Sequence, residues 1–149
     1  MERPKIKLGE GAQLPERKSA DAVAYDLKTP MDVTIFKGRQ VVPLNFCIAV
    51  PKGYEAKIEP RSGFASRGIQ DNCGVSMDAD VLVGKIDPDY RGTVGVIVKS
   101  SEDFSFVVAK GTRIAQMTFY KVESEDWDVV EELDQTERGA GGFGSTGAK

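Results

Sequence analysis

The 149-residue sequence contains no histidine, two cysteines and one tryptophan. Without histidine the chain cannot build a Ser-His-Asp triad or a His-ligated zinc site, so acid–base chemistry has to use carboxylates, Lys, Tyr, Cys or metal-bound water. Cys47 and Cys73 are too few for a disulfide framework and lack the spacing of a metal site. They predict free thiols and a cytoplasmic location.

Long apolar runs and an excess of basic residues are also missing. No stretch approaches the about 20 apolar residues of a transmembrane helix, and the residues after Met1 lack the apolar core of a signal peptide. The net charge of -3 gives no reason to expect a nucleic acid as partner. We therefore expect neither a membrane nor DNA or RNA as partner, and a single domain over residues 1–149.

The hydrophobic pattern is typical of an all-β protein, because short β-type runs recur between Gly, Pro and Asp signals. Residues 54–59 alternate strictly, which predicts a strand with one wet face. One short helix is predicted from about Ser62 to Arg67. This organisation favours a β-sandwich or jelly-roll-like barrel. The predicted strands are Lys5–Leu8, Val33–Phe36, Phe46–Val50, Tyr54–Ile58, Val81–Ile86, Thr93–Lys99, Phe104–Val108 and Arg113–Lys121.

The C-terminal segment from about residue 136 differs from the rest in composition. Five glycines lie between Arg138 and Gly147, so the segment cannot form a rigid element by itself. It also carries one arginine, Phe143, and the pair Ser145-Thr146, which suit a ligand that is both phosphorylated and aromatic, such as a nucleotide. The alternative is a disordered Gly/Ser tail.

Two acidic or basic segments have a structural and a functional interpretation. Asp26 lies in the apolar run Val23–Leu27 and needs a partner such as an arginine if it is buried; it is otherwise an acid at a strand end. Arg61 and Ser62 precede the predicted helix. Ser62 can cap that helix with Arg61 in solvent, or both side chains and the helix amides can face phosphate oxygens.

Two further segments leave the same choice open. Gly84–Gly92 lies between two β-type runs and predicts a hairpin with Asp-Pro-Asp in the turn. Its acids could position a water while Tyr90 presents its ring to a sugar. Gln116 lies in an apolar strand, where its amide needs either a protein partner or a phosphate oxygen.

Taken in order, these segments resemble the five sequence motifs of the trimeric deoxyuridine triphosphatase (dUTPase) family. The first motif is similar to residues 24–27, the second to residues 60–65 and the third to residues 84–92. The fourth is similar to residues 113–117 and the fifth to residues 138–147. The resemblance extends from about residue 5 to the C-terminus.

The resemblance implies a distorted β jelly roll that assembles as a homotrimer, with each active site built from three subunits. Asp26, Arg61, Ser62 and Gln116 would come from one subunit and the hairpin from a second. The tail, about residues 136–149, would come from a third and act as a mobile lid that orders when the site closes.

The implied reaction is the hydrolysis of dUTP to dUMP and pyrophosphate, which removes dUTP and supplies dUMP. Asp87 would act as general base for a water that attacks the α-phosphorus in line. Mg²⁺ would be held mainly by phosphates and water, with no protein metal site. Asp26 would fix Arg61. The residues implied to contact or align phosphates are Arg61, Ser62, Gly63, Gln116, Arg138, Gly144, Ser145 and Thr146.

The resemblance also implies how the base and sugar are selected. Tyr90 would pack under the deoxyribose and leave no room for a 2′-hydroxyl. Backbone groups around Gly84–Ile86 and Gly95 would read the uracil edge and exclude cytosine and thymine. Phe143 would stack on the uracil ring.

Ala24, Phe64 and Thr112 depart tolerably from the family pattern, and two further departures are more serious. Gln70–Val83 is several residues longer than the usual connection, which we interpret as an inserted loop, and Lys85 replaces an apolar hairpin residue. Because of the extra residues, Asp78 lies nearer the customary distance from Arg61 than Asp87 does. No Tyr-Arg-Gly follows Asp78, so Asp87 remains the predicted base.

Two alternative functions remain at this stage. A dCTP deaminase would share the fold but normally lacks the glycine-rich fifth motif. A nucleotide-sensing interaction protein would bind dUTP, order its tail and engage a partner through residues 70–83.

Overall fold

The computed structural model of the chain describes residues 1–147. These residues form twelve strands and one short helix, which confirms the predicted all-β fold. No helix in this part of the chain is long and apolar enough to cross a membrane. The strands are β1 (Lys5–Leu8), β2 (Tyr25–Lys28), β3 (Val33–Ile35), β4 (Gly38–Ala49), β5 (Tyr54–Glu59), β6 (Ile69–Gln70), β7 (Ser76–Met77), β8 (Ala79–Leu82), β9 (Gly84–Ile86), β10 (Thr93–Ser100), β11 (Phe106–Val108) and β12 (Arg113–Lys121), and the helix α1 is Ser62–Arg67.

Two four-stranded antiparallel sheets make up most of the fold. Sheet A has the order β1-β4-β10-β8 and sheet B the order β2-β12-β5-β9. Both sheets contribute inward side chains to one hydrophobic cluster, because alternate residues of each strand point to opposite faces. The side chains of this cluster with the least exposure include Leu27, Ile35, Val42, Leu44, Phe46, Val96, Val98, Val108 and Ile114.

The strand predictions were right where alternation is strong and wrong at several boundaries. The predicted strand Val81–Ile86 is two strands, β8 in sheet A and β9 in sheet B. β4 begins at Gly38, eight residues before the prediction, and β2 was not predicted as a strand. These strands gain their stability from pairing with distant segments, which local patterns do not show.

The prediction that Gln70–Val83 is an inserted loop was wrong. The segment forms β6, a turn, β7 and β8, and Ile69 and Met77 at the base of this β6–β7 hairpin are buried in the core. In the turn, Asp71 Oδ1 accepts hydrogen bonds from the N–H groups of Cys73 and Val75. Such a turn stabilises a hairpin locally, so part of this segment forms an ordered two-stranded sheet, β6–β7.

Of the two interpretations of Ser62, the structure does not show the one in which it caps α1. The N-cap residue is Arg61, in an extended conformation, and no side chain makes a capping hydrogen bond. Ser62 is the first residue of the helix and is exposed. Its hydroxyl is therefore free of the capping role that the sequence suggested.

We predict that Gly68→Ala strongly destabilises the protein. Gly68 has a φ of +83°, and a Cβ there would lie 2.0 Å from the carbonyl oxygen of Met77 in the β6–β7 hairpin. The combined strain and clash should lower the free energy of unfolding by about 3 kcal/mol or more, measured by urea denaturation.

The matched control is Gly74→Ala. Gly74 has a similar φ of +80°, but an added Cβ would meet nothing within 4 Å. The control should cost about 1 kcal/mol, from backbone strain alone. Equal losses for the two variants would contradict close packing of the hairpin on Gly68.

Candidate active site

A carboxylate and two arginines form a compact cluster at one end of sheet B. Asp26 Oδ1 lies 3.1 Å from Arg61 Nε, and Asp26 Oδ2 lies 3.8 Å from Arg113 Nη1. Arg61 Nη1 also donates to the backbone oxygen of Arg113 at 3.5 Å. One carboxylate therefore orients two guanidinium groups and leaves the cluster net positive, which suits phosphate.

Strand pairing brings Gln116 to the same cluster. In the register of sheet B, Gln116 of β12 lies directly opposite Asp26 of β2 and Glu59 of β5. Arg61 follows β5 after one intervening residue, and Ser62 and Gly63 begin α1. We call Asp26, Arg61, Ser62, Arg113 and Gln116 the phosphate cluster; sequence reasoning missed Arg113 as a member.

The predicted hairpin of Gly84–Gly92 is a turn between two strands, β9 and β10, that do not pair with each other. We keep the name hairpin for residues 84–95. Within residues 1–147, β9 pairs with β5 in sheet B, whereas β10 pairs with β4 and β8 in sheet A. The strands therefore diverge, and the edge of β9 that faces away from β5 has no strand partner within residues 1–147. Unpaired backbone groups need partners, so this edge is suited to a ligand with hydrogen-bonding edges.

The start of β10 is shaped by a bulge and by a close approach. The register with β4 shifts between Thr93 and Gly95, and bulges commonly occur next to active sites because they redirect side chains. A Cβ on Gly95 would lie 2.5 Å from Val41 Cγ1. Glycine at this position therefore keeps the backbone close to β4.

The hairpin turn holds Asp87 and Tyr90 at its ends. The N–H of Tyr90 donates to the oxygen of Asp87 at 3.1 Å, and Tyr90 Oη donates to the oxygen of Thr93 at 3.0 Å. A Cβ on Gly92 would lie 2.3 Å from Tyr90 Oη, so the ring folds over the glycine. Asp87 is exposed to solvent on this hairpin. The acid is accessible, and the aromatic ring has a fixed position.

A single chain does not bring Asp87 to the phosphate cluster. The β5–β9 register pairs Ala56 with Ile86, which puts Asp87 beside Glu55, while Gln116 lies opposite Glu59. Four residues of an extended strand span about 13 Å. The predicted base and the predicted phosphate ligands of one chain are therefore too far apart to act on the same phosphorus atom.

The tail residues of the predicted site lie apart from both groups. Arg138 Nε donates to the oxygen of Gly141 at 2.6 Å, and the N–H of Ser145 donates to the oxygen of Gly142. Phe143 is fully exposed. The predicted lid runs to residue 149, and its last two residues lie outside the described part of the chain. The tail thus forms local turns, with Phe143, Gly144, Ser145 and Thr146 away from the two sheets.

The alternative base, Asp78, lies just before β8. Its N–H donates to Glu102 Oε1 at 2.8 Å, and the next residue, Ala79, pairs with Ser100 at the end of β10. This is the end of β10 remote from Thr93 and the hairpin turn. Asp78 is therefore not placed beside any other predicted site residue of its own chain.

No metal cage is formed in the part of the chain that the structure describes. Residues 1–147 contain no group of three or more Cys, Asp or Glu side chains that could hold an ion. Both Cys47 and Cys73 are free thiols. A divalent ion at this site would need most of its ligands from a bound molecule.

Sequence reasoning missed a charged network beside Asp87. The buried Glu55 carboxylate lies 2.8 Å from Lys85 Nζ and 3.6 Å from Lys57 Nζ. The hydrogen bond from Lys85 lowers the pKa of Glu55, and the same hydrogen bond raises the pKa of Lys85. The alternation of β5 placed Glu55 and Lys57 on one face, but only the register with β9 places Lys85 there.

Comparisons with known proteins agree with the geometry. A family model described as dUTPase matches residues 10–147. The deoxyuridine 5'-triphosphate nucleotidohydrolase of Oryza sativa subsp. japonica is 44% identical over 142 residues, which cover 95% of this chain and 78% of the relative. A structure of a variant dUTPase of Staphylococcus bacteriophage 80alpha with dUpNHpp has a TM-score of 0.85 at 25% identity, and covers 99% of this chain and 100% of that one. A variant dUTPase of phage phi11 of S. aureus, whose structure is described as revealing the coordination of a structural Mg(II) ion, shares the fold, with a TM-score of 0.75 at 20% identity and coverage of 88% and 98%.

The charged network predicts a pH-dependent contribution to stability. Because the pKa of Glu55 is lowered on folding, its ion pairs stabilise the fold above its ordinary value of 4.5 and the contribution is lost as the pH falls below that value. We expect Glu55→Gln to lower the melting temperature at pH 7. The difference from wild type should shrink toward zero below about pH 4, as measured by differential scanning calorimetry. A difference that is constant from pH 7 to pH 3 would contradict the ion-pair assignment.

Proposed function

Because the chain belongs to the dUTPase family, we propose that it hydrolyses dUTP to dUMP and pyrophosphate with Asp87 as general base. The main structural support is the division of the site residues into three separate groups. These groups are the phosphate cluster, the hairpin of residues 84–95, and the tail. The relatives named above are nucleotidohydrolases, and the deaminase alternative has no such support.

In the proposed site, the phosphate cluster binds the triphosphate. Arg61 offers N–H groups beyond those it directs at Asp26, and guanidinium groups bind phosphate through paired hydrogen bonds. Asp26 is a positioning residue, because its carboxylate lies 3.1 Å from Arg61 Nε and orients the guanidinium. Ser62, Gly63 and Gln116 provide further donors beside it.

Asp87 would hold and deprotonate the attacking water. Its carboxylate is exposed at the hairpin turn, where a water can reach it. A carboxylate is ionised throughout the neutral range and so can accept a proton there, which matters in a chain that has no histidine. Catalysis otherwise rests on positioning and on cations around the phosphates.

The divergent hairpin would select uracil and deoxyribose. Gly84, Lys85 and Ile86 form the edge strand β9 of sheet B. A uracil edge would complete the hydrogen bonds of their backbone groups and of those near Gly95. Tyr90, which is fixed over Gly92, would pack against the sugar. A 2′-hydroxyl would then have no space.

A homotrimer would bring the three groups together. Asp87 and the phosphate cluster of one chain are too far apart for one site, so the hairpin of a second subunit would complete it. The segment that leads to the tail exposes Trp127, Val129 and Leu133 almost completely. Exposed apolar side chains in such a segment favour contact with another subunit.

The tail would then close the site as a lid from a third subunit. Phe143 would stack on the uracil, and Arg138, Gly144, Ser145 and Thr146 would contact phosphates. Glycines let the segment adopt the turns that such a closure needs. The proposed domain organisation is a single dUTPase domain with this C-terminal lid.

The substrate would be the magnesium complex of dUTP. Residues 1–147 lack a metal cage, so the ion's ligands would be phosphate oxygens and water, as is common for Mg²⁺. The proposed compartment is the cytoplasm, because both cysteines are free thiols.

We predict that Asp87→Asn lowers kcat for dUTP by about 10²-fold or more, because the water loses its base. Binding of dUpNHpp should persist. The measurement is pyrophosphate release with Mg²⁺ and dUTP, with dTTP, dCTP and UTP as comparison substrates.

Asp78→Asn is the control for this experiment and should retain turnover. Full activity of Asp87→Asn with an inactive Asp78→Asn would transfer the role of base to Asp78. Ammonia release from dCTP would overturn the assigned reaction.

We further predict that two inactive variants complement each other. Arg61→Gln removes one arginine from the phosphate cluster of each subunit, and Asp87→Asn removes the base. A mixed trimer nevertheless contains some sites in which both Arg61 and Asp87 are intact. Random reassembly of equal amounts should restore about one quarter of wild-type activity, since each residue of a shared site is intact with a probability of about one half. Mixtures no more active than the separate variants would contradict sites shared between subunits.

A further inference from the structure

Glu55 is the feature of this fold that the proposed reaction has not used. Among residues 1–147, Glu55 is the one charged residue that is buried, with 9% of its surface exposed. Burial of a carboxylate is unfavourable unless it is paired with a cation or hydrogen-bonded. Lys85 supplies the closer partner, at 2.8 Å, and Lys57 the more distant one, at 3.6 Å.

The register of β5 and β9 places this ion pair next to Asp87. Lys57 pairs with Lys85 and Ala56 with Ile86, so Asp87, the first residue after β9, follows the pair that adjoins Glu55. Lys85 and Asp87 share one face of β9, while Ile86 between them points into the core. Glu55, Lys85 and Asp87 also border one open pocket of about 460 Å³. Lys85 therefore lies between two carboxylates.

The electrostatics of the pocket follow this geometry. The hydrogen bond with Glu55 is the main cause that raises the pKa of Lys85, and the charge of Asp87 raises that pKa further. The lowered pKa of Glu55 is caused first by Lys85 and also by Lys57. Shifted groups that share a pocket with a reactive residue are candidates for a functional role.

We propose that Glu55 is a positioning residue for dUTP hydrolysis, which holds the Lys85 ammonium away from Asp87. This inference rests on the proposed role of Asp87 as general base. Without Glu55, Lys85 can form a contact pair with Asp87 and occupy the carboxylate that should hold the water. With Glu55, Lys85 stays two residues away on the same strand face, about 7 Å along the strand, and leaves the Asp87 carboxylate open to water.

The other charged groups around Asp87 do not replace this pair. Lys57 lies 4.8 Å from the centre of the Tyr120 ring, a cation–π contact that holds it on the far side of Glu55. Lys52, in the turn before β5, borders the same pocket, and takes part in none of the ion pairs within residues 1–147. Asp89 in the hairpin turn adds a like charge beyond Asp87.

The test is the dependence of kcat on pH at saturating magnesium–dUTP. The acid limb of this profile reports loss of the ionised base. Lys85→Met removes a cation two residues from Asp87, so by Coulomb's law the limb should move to higher pH by about half a unit. Glu55→Gln releases Lys85 toward Asp87, so the limb should move to lower pH while kcat on the plateau falls. We expect the acid limb to move in opposite directions in the two variants. Loosened packing alone would not move it upward in one variant and downward in the other.

Controls separate charge from packing. Lys85→Arg keeps the cation and should leave the limb near its wild-type position, as should Lys52→Met. If Glu55→Gln does not fold, Glu55→Asp lengthens the ion pair and should move the limb in the same direction by a smaller amount. The substrate phosphates titrate alike in every variant, so differences between variants report the protein.

Two results would overturn the role of Glu55. One is an acid limb that moves in the same direction for Lys85→Met and Glu55→Gln, or that moves for neither variant. The other is a Glu55→Gln shift that is undiminished in the Lys85→Met background, since Glu55 would then act without Lys85. Failure of the base assignment is distinguishable, because Asp87→Asn would retain its turnover and its acid limb whatever the Lys85 and Glu55 variants do.

Discussion

The pairing of β5 with β12 on one side and β9 on the other is the constraint on which the site depends. The first pairing places Glu59 opposite Gln116 and so fixes the phosphate cluster, whereas the second places Asp87 beside Glu55. Both ends are held by the same six-residue strand, so their separation cannot change without breaking the ladder of hydrogen bonds. A site that needs both groups must therefore take one of them from another copy of the chain.

The parts of the candidate site differ in how firmly the rest of the fold holds them. Arg113 lies in β12, Arg61 directly follows β5 and Asp87 directly follows β9, so strand pairing anchors the backbone of each group. The tail residues are joined only by local turns in the described chain. A rigid part can preorganise charges for the transition state, and a movable part can admit substrate and exclude water once it closes.

The sequence predicts the parts of this fold whose signals are local. The alternation of residues 54–59, the run of β12 and the short helix Ser62–Arg67 are set by neighbouring residues, and the structure confirms them. β2, the start of β4 and the β6–β7 hairpin depend on pairing with distant segments, which no local pattern encodes. The same reason hides the Glu55–Lys85 pair: the two residues are thirty positions apart in sequence, and they meet only because Ala56 pairs with Ile86. Of the site, the sequence indicates the residue types and, through the family resemblance, their grouping by subunit, but not the contact of Arg113 with Asp26 or the Glu55–Lys85 pair.

The absence of histidine determines how such a site can control its pH dependence. A histidine base changes charge within the neutral range, whereas a carboxylate stays ionised there and is a weaker base. The useful adjustment is then to keep the carboxylate ionised without pairing it so tightly that water is displaced. A cation in direct contact would displace the water, and a distant one would be screened by solvent and salt. Lys85, drawn toward the buried Glu55 at 2.8 Å, lies between these limits. The ion pair joins β5 to the edge strand of sheet B, and in the proposed role the same contact would keep the Lys85 ammonium from Asp87.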